Sequence, residues 1–182
     1  MADVSVRPAR AEDVGEIARI HVETWRFGYA RILPAAVLDA LTVETAHAAW
    51  QDAVTEPPSP RHHVLVAVEG QWTVGFAALS PAGDLEPEDR DPQSTVAIAP
   101  VVVEPRWTRR GHGSRLMAAA VDIARADGMT RAVTWIPEAD TVTREFLAGG
   151  GWAPDGLARG LDTGDGELRE IRLQVLLDEQ SA

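Results

Sequence analysis

The sequence predicts a single domain of the α/β class, and three observations lead to this prediction. The chain has 182 residues, a length that suits one domain or two small ones. Segments with the alternation of strands and segments with the 3.6-residue spacing of helices follow one another along it. Neither an internal repeat nor a linker long enough to divide domains separates them. One packed α/β domain over residues 1–182 is therefore the economical prediction.

Local patterns in the first half predict a strand, helices and a hairpin. Glu12 and Asp13 place acids where they favour a helix dipole, and apolar positions after them recur at helical spacing. In order, the predicted elements are a strand at 4–7, a helix opening at 12–13, one or two helices within 35–54, and hairpin strands at 63–68 and 72–79.

The second half begins with an acidic segment and then returns to regular elements. Residues 83–93 hold five acids and two prolines and are predicted to form an exposed loop. In the apolar, β-prone run 95–103, Pro100 marks a bulge or an unpaired position. The remaining predictions are a helix at 114–127 with Gly128 after its end, a strand at 131–136, a short helix at 141–148, and strands at 153–161 and 167–177.

Composition excludes several classes of function. The 17 basic residues face 28 acidic ones, for a formal net charge of -11, which disfavours a broad nucleic-acid surface. The chain has no Lys and no Cys, which excludes thiol nucleophiles, disulfides, thiolate metal sites and a Schiff-base lysine. His62 and His63 point to opposite faces of a strand, so we expect no metal there.

The sequence also lacks the usual signals for membranes and export. It has no apolar stretch of about 18 residues, the length that a transmembrane helix needs. The first residues lack the basic region and apolar run of a signal peptide. We therefore expect a cytoplasmic protein without a membrane partner.

A strand, a glycine turn and a helix in the second half carry the chemical signal. Gly111 and Gly113 allow backbone N–H groups to converge at the start of a helix, which favours a phosphate. Arg109, Arg110 and Arg115 add positive charge in an otherwise acidic chain. A tight turn that needs no ligand is the alternative explanation. Neither the Lys of a P-loop nor the third glycine of a dinucleotide fingerprint is present.

Residues 101–117, VVVEPRWTRRGHGSRLM, resemble the acetyl-CoA motif of the GCN5-related N-acetyltransferase (GNAT) family. Residues 6–13 resemble the usual opening of this family, and residues 148–155 resemble its late segment. Residues 21–25 and 31–34 resemble a branch that acts on small molecules or peptide ends. The resemblance covers nearly the whole chain. It implies a mixed, mostly antiparallel sheet with splayed central strands, flanked by about four helices.

The resemblance further implies acetyl-CoA as co-substrate, with no metal. Its pantetheine arm would lie between the fourth and fifth strands and receive backbone hydrogen bonds from Val101, Val102 and Val103. Asp140 falls where the family has an Asn near a helix start, and joins the cofactor-binding residues. Backbone amides of the turn would hold the pyrophosphate, from Arg109, Arg110, Gly111, His112, Gly113 and Ser114.

The chain departs from the family pattern at several positions. Thr108 stands where the family has Gln or Arg, and Arg109 where Gly is frequent. Ala97 occupies the position of the Glu that commonly takes the amine proton. Leu147 occupies the position of the Tyr that commonly protonates the departing thiolate. Neither usual acid–base residue is therefore present.

Substitute catalytic groups must then come from elsewhere in the chain. We predict Glu23, Glu86 and Tyr29 as catalytic candidates, with Glu88 and His21 as further ones. Each has a structural alternative: a solvated helix charge for Glu23, solubilising loop charges for Glu86 and Glu88, a core histidine for His21, and a packed aromatic for Tyr29.

The predicted function is direct transfer of an acetyl group from acetyl-CoA to a primary amine of a small molecule or peptide. An acyl-CoA-binding or regulatory module that keeps the fold without the reaction is the alternative, motivated by Ala97 and Leu147. The acidic background would steer a cationic acceptor by electrostatics. Homodimerisation through the late strands is left open.

Overall fold

The computed structural model describes residues 3–83, 89, 92–164 and 166–177, and these form one seven-stranded sheet and five α-helices. The strands are β1 (Val4–Pro8), β2 (His63–Glu69), β3 (Trp72–Pro81), β4 (Thr95–Val103), β5 (Arg131–Pro137), β6 (Ala153–Asp162) and β7 (Glu167–Leu176). The helices are α1 (Val14–Gly28), α2 (Ala35–Ala40), α3 (Val43–Thr55), α4 (His112–Ala126) and α5 (Thr141–Gly149). None of these helices is long and apolar enough to cross a membrane.

The sheet is mixed and mostly antiparallel, as expected. Its strand order is β1-β2-β3-β4-β5-β7-β6, and β4 and β5 are the parallel neighbours in its centre. The described chain has five helices instead of about four, because residues 35–54 form two of them. Thr42 separates these two, since its hydroxyl accepts a hydrogen bond from the amide of Thr45 and so caps α3.

Both faces of the central strands are buried, which explains why their sequences are continuous apolar runs. On β2, Val66 packs with α1 and α3, through Ile17 and Trp50. The next residue of the strand points to the other face, where Ala67 joins Leu116 of α4. The start of α1 is fixed by Asp13, whose carboxylate accepts two hydrogen bonds from Arg7, at 2.7 and 2.9 Å, and one from the Arg10 amide.

On the β5–β7 half, the face opposite α4 carries a network of ion pairs. Arg172 is 2% exposed and donates to both carboxylate oxygens of Asp89 and to Asp155, over 2.6 to 2.7 Å. Arg131 also donates to Asp89, at 2.7 Å. The prediction of an exposed acidic loop is therefore wrong at Asp89. Its side chain is 5% exposed because two guanidinium groups neutralise its charge.

Candidate active site

A wedge-shaped cleft opens between β4 and β5. In the described chain these strands pair only at Thr95–Arg131, Val96–Ala132 and Ala97–Val133. Beyond Ala97, β4 continues beside β3, and β5 continues beside β7. The backbone groups of residues 98–103 that face β5 therefore have no partner strand on that side, among the residues described. The splay that the resemblance implies is present, with Ala97 at its apex.

A bulge on β4 lies where the strands part. Ala77 pairs with Val101, and Leu79 pairs with Ile98, so two residues of β4 face one residue of β3. The extra residue falls at Ala99–Pro100, which confirms the bulge predicted at Pro100. Bulges bend a strand and increase its local twist, so this one contributes to turning β4 away from β5.

The N-terminus of α4 lies just beyond the end of β4. Gly111 before it adopts a φ of 82°, and Arg109 a φ of 61°, so two left-handed residues turn the chain into the helix. The helical ladder opens with the amide of Arg115, which donates to the Gly111 carbonyl at 3.0 Å. Helix geometry leaves the amides of residues 112–114 without intrahelical acceptors, at the positive end of the helix dipole.

The cleft, the α4 turn and the start of α5 occupy one edge of the sheet. Strands β4 and β5 are parallel, so the segments that follow them emerge at the same edge, the usual ligand position in sheets with parallel strands. A Cβ atom added to Gly113 would lie 3.3 Å from Cζ of Phe146, which brings the start of α4 against α5. Any side chain at Gly113 would crowd this contact.

Side chains beneath the turn contact Glu69 at the end of β2. The guanidinium of Arg110 donates to Oε1 of Glu69 at 3.2 Å, and Nε2 of His112 donates to Oε2 at 2.8 Å. Arg115 donates to the carbonyl of Arg110 at 2.9 Å. The charge of Arg110 is therefore paired within the protein, whereas the side chain of Arg109 is exposed. The main-chain amides at the start of α4 and the exposed guanidinium of Arg109 are the donors that the turn offers to a ligand.

Tyr29 and Asp140 meet at the carboxyl end of β5, although they are far apart in sequence. The hydroxyl of Tyr29 donates to Oδ2 of Asp140 at 3.0 Å. Asp140 also caps α5, since its carboxylate accepts from the amide of Thr143 at 3.0 Å and from its hydroxyl at 2.6 Å. Asp140 is 8% exposed, so its carboxylate is satisfied by these internal donors.

The phenol of Tyr29 is held in its protonated form. Burial raises the pKa of Tyr29, and the neighbouring charge and hydrogen-bond acceptance of Asp140 raise it further. A phenol in this state can donate a proton and does not act as a base near neutral pH.

His21 is a neutral histidine inside an aromatic cluster. Burial lowers the pKa of His21 to about 4. Its Nδ1 accepts a hydrogen bond from Trp50 at 3.1 Å, and its ring lies edge-on to Trp25 at 4.9 Å between centroids. This surrounding favours the alternative of a packed histidine over a catalytic base.

Of the other predicted catalytic residues, the structure describes Glu23 and does not bring it to Tyr29. Glu23 is 55% exposed and forms an ion pair with Arg19 at 2.6 Å. It precedes Tyr29 by six residues, which on a helix places it about 240° around the axis. Glu86 and Glu88 lie outside the described residues. Leu147 is 4% exposed in the core, so the position of the family tyrosine carries an apolar packing residue.

Metal ligation finds no support in the described part of the chain, which holds no group of three or more His, Asp or Glu side chains placed to bind a metal ion.

Sequence reasoning missed Glu69 and the role of the His112 side chain. The sequence predicts a hairpin turn at Glu69, and nothing in its local pattern connects it with Arg110 and His112, which follow more than 40 positions later. A signal for His112 existed, because it precedes Leu116, Ala120 and Ala124 at intervals of four, on the buried face of α4. That spacing predicts a buried imidazole, which in turn requires a polar partner.

Comparisons with known proteins agree with one another. The model of the acetyltransferase (GNAT) family matches residues 17–148. The uncharacterized N-acetyltransferase YuaI of Bacillus subtilis is 29% identical over 136 residues, covering 74% of this chain and 72% of its own.

Solved structures show the same fold. The structure of yncA from Salmonella typhimurium with its cofactor acetyl-CoA superposes with a TM-score of 0.72 at 21% identity, covering 99% of this chain and 97% of that one. The PaiA N-acetyltransferase of Thermoplasma acidophilum in complex with coenzyme A gives a TM-score of 0.75 at 15% identity, covering 94% and 98%.

Proposed function

The chain belongs to the GNAT family of acetyltransferases, and from this premise we propose that it transfers an acetyl group from acetyl-CoA to a primary amine. The observation that carries the proposal is the meeting of two features at one sheet edge. The wedge between β4 and β5 opens beside the N-terminus of α4, where amides without intrahelical acceptors are available. A cleft with anion donors at its mouth suits a long ligand that carries a pyrophosphate.

The residues present fit acetyl-CoA. Val101 and Val103 follow the last residue of β4 that pairs with β5, and their backbone groups on that side would hydrogen-bond the pantetheine arm. Val102 between them pairs with Phe76 of β3, so its backbone groups face β3. The amides of residues 109–114 would hold the pyrophosphate, aided by the dipole of α4. When bound, acetyl-CoA supplies the acetyl thioester. The residues of the chain hold the reactants in position and handle the proton transfers.

The reaction needs one proton removed and one delivered. A carbon–nitrogen bond forms while the thioester carbon–sulfur bond breaks, so a proton leaves the amine and a proton reaches the sulfur. An unpaired N–H of β4 would polarise the acetyl carbonyl, as donors of an oxyanion hole do. With Ala97 at the apex of the cleft, we propose that the amine binds as the free base and loses its proton to water.

We assign the proton donor to Tyr29, which substitutes for the tyrosine missing at Leu147. Its hydroxyl lies at the carboxyl end of β5, where it is fixed by Asp140. The raised pKa of Tyr29 keeps the phenol protonated at neutral pH and makes it a weaker acid than an ordinary tyrosine, so the proton would pass to the sulfur only as the thiolate leaves. In this proposal Asp140 is a positioning residue that holds the phenol and caps α5, in place of the cofactor contact expected for it from the sequence.

The acceptor belongs to the class of primary amines on small molecules or peptides. A net charge of -11 favours the approach of a cationic acceptor. The fold by itself does not select among amines.

Binding and turnover test the proposal in sequence. Calorimetry with CoA and acetyl-CoA should show one site, and the absence of binding by both would overturn it. A panel of amines assayed by CoA release should then reveal an acceptor. Binding without turnover of any amine would favour the second candidate, a CoA-binding module. Ala97 and Leu147 support this candidate, because they stand where the family commonly has its acid–base residues.

The role of Tyr29 is tested by Tyr29→Phe. Removal of a general acid lowers kcat by about 10²-fold or more. Acetyl-CoA affinity should stay within about twofold of wild type, because the phenol does not contact the pyrophosphate turn. Asp140→Asn is the companion variant, since Asn preserves the cap of α5. A kcat of Tyr29→Phe equal to that of wild type would contradict the assignment.

A further inference from the structure

We propose that Glu69 is a positioning residue for the pyrophosphate of the cofactor. Its carboxylate holds the turn before α4 in its anion-binding geometry, through the side chains of Arg110 and His112. The inference rests on the proposed function, because it deepens the description of the same cofactor site. It concerns a residue on a different hairpin, which contributes no amide of its own to the turn.

Both oxygens of Glu69 are used, and their partners flank one special residue. Arg110 donates to Oε1 at 3.2 Å, and His112 donates to Oε2 at 2.8 Å. Between these two partners lies Gly111, with a φ of 82°. One carboxylate therefore fixes the residue before and the residue after the left-handed position at which the chain enters α4.

His112 depends on this contact. Its side chain is 1% exposed, and within the described chain its Nδ1 atom has no hydrogen-bond partner. The hydrogen bond to Glu69 is thus the polar contact that compensates for burying the imidazole. The same residue contributes one of the amides without an intrahelical acceptor at the start of α4. The hydrogen bond to Glu69 that fixes the side chain of His112 therefore also fixes the direction of its backbone amide.

The side chain of Arg110 is 54% exposed and is held by two contacts. Its guanidinium lies 4.8 Å from the centroid of the Trp107 ring and pairs with Glu69. Its carbonyl oxygen accepts from Arg115 at 2.9 Å, which occupies an acceptor that would otherwise repel a phosphate. The cation of Arg110 offsets the negative charge of Glu69, which would disfavour an anion if it stood alone.

These contacts order the amides before a ligand arrives. Donors that are already aligned bind an anion without the cost of ordering a flexible loop. A turn that contains a left-handed arginine and a left-handed glycine needs such support, because the arginine conformation is unfavourable by itself. Glu69 supplies the support from outside the turn.

The test compares Glu69→Gln with Glu56→Gln, a charge-matched control at an exposed position after α3. Calorimetry with CoA should show a Kd about tenfold higher for Glu69→Gln, equivalent to ~1.4 kcal/mol. The control changes the net charge by the same amount but touches neither Arg110 nor His112, so its Kd should remain within about twofold of wild type. Equal CoA affinity in Glu69→Gln and wild type would overturn the inference.

A second ligand separates positioning from a general loosening of the fold. Pantetheine lacks the pyrophosphate, so its affinity, measured by NMR titration, should be the same in Glu69→Gln and wild type. A loss of pantetheine and CoA affinity in equal proportion would reject the positioning role. Failure of the wild-type protein to bind CoA would instead overturn the proposed function, so the two failures are distinguishable.

Discussion

Arg109 adopts a backbone conformation that suits glycine better than arginine. Its φ is 61°, in the left-handed region where a Cβ atom is unfavourable. Arg109→Gly should therefore raise the free energy of unfolding by ~0.5–1 kcal/mol, the balance of relieved strain and added chain entropy. Arg109→Ala removes the same charge and keeps the Cβ atom, so it should bring no such gain. Thermal unfolding of both variants gives the comparison, and equal stabilities would contradict the strain.

His21 makes stability depend on pH in a defined range. Its pKa is lowered by burial from 6.5 to about 4, so the unfolded chain binds this proton more readily than the folded one. The stabilising effect of the neutral ring is complete above pH 6.5. It is lost as the pH falls towards 4, by ~1.4 kcal/mol per pH unit.

Denaturant unfolding between pH 7 and pH 4 measures this effect. His21→Phe, which keeps an aromatic ring, should flatten the curve in that range. His47→Gln on the exposed face of α3 should leave its shape unchanged. A wild-type slope that persists in His21→Phe would assign the pH dependence to other groups.

Single residues also show where sequence reasoning stops. The glycine turn at Gly111 and Gly113 was found from its local pattern, because the demand for a left-handed residue before a helix is local. The pairing of Glu69 with His112, and of Tyr29 with Asp140, joins distant parts of the chain. Such pairs depend on how the elements pack, and their residue types carry no local trace of their partners.

Among the elements, most strands and helices were predicted to within a few residues. Their patterns are strong: β2 and β3 are apolar runs around a Gly turn, and α4 has an apolar stripe ended by Gly128 with a φ of 77°. The start of α4 was placed at Ser114, two residues late, because helix boundaries depend on backbone conformation more than on residue type. The splay of β4 from β5 came from the family resemblance, since periodicity does not encode pairing.

The approach of β3 to β4 gives a prediction about the cleft itself. A Cβ atom on Gly75 would lie 2.5 Å from the backbone oxygen of Val102, so this part of β4, next to the cleft, would have to move. Gly75→Ala should lower the free energy of unfolding by ~1–3 kcal/mol and weaken CoA binding.

Gly15→Ala on α1 is the matched control for this variant. The added methyl meets no atom within 4 Å, and alanine favours the helix, so stability should rise by ~0.5–1 kcal/mol. Urea unfolding and CoA calorimetry on both proteins provide the readouts. Equal effects of the two substitutions would show that the contact with Val102 is unimportant.

For the whole molecule, the ion network on the β5–β7 half should contribute strongly to stability. Arg172→Leu leaves Asp155 and Asp89 buried with fewer cationic partners, so the free energy of unfolding should fall by ~3–5 kcal/mol. Arg169→Leu, on the same strand, removes an exposed pair with Glu138 and should cost less than ~1 kcal/mol. Chemical denaturation of both variants measures these free energies of unfolding. Decreases of similar size in the two variants would contradict the expected difference between the buried and the exposed ion pair.

The positions of the charged side chains in the fold determine which of them are exposed, and the charge of a segment alone does not show this. The five acids and two prolines of residues 83–93 predicted an exposed loop, yet Asp89 from that loop is buried and paired with Arg172 and Arg131. The arginine cluster of the turn was expected to face phosphate, yet Arg110 pairs with Glu69. Ion pairs between distant segments cannot be read from composition, because they form only when the sheet brings the segments together.

The short contact between β4 and β5 links the stability of the protein to the binding of its ligand. Within the described sheet three residue pairs join these two strands along a narrow seam, and the packing of α4 against strands on both sides joins the two halves as well. A ligand that bonds to both sides of the seam adds its binding free energy to the stability of the chain. Acetyl-CoA bound across this seam should therefore raise the unfolding temperature of the protein.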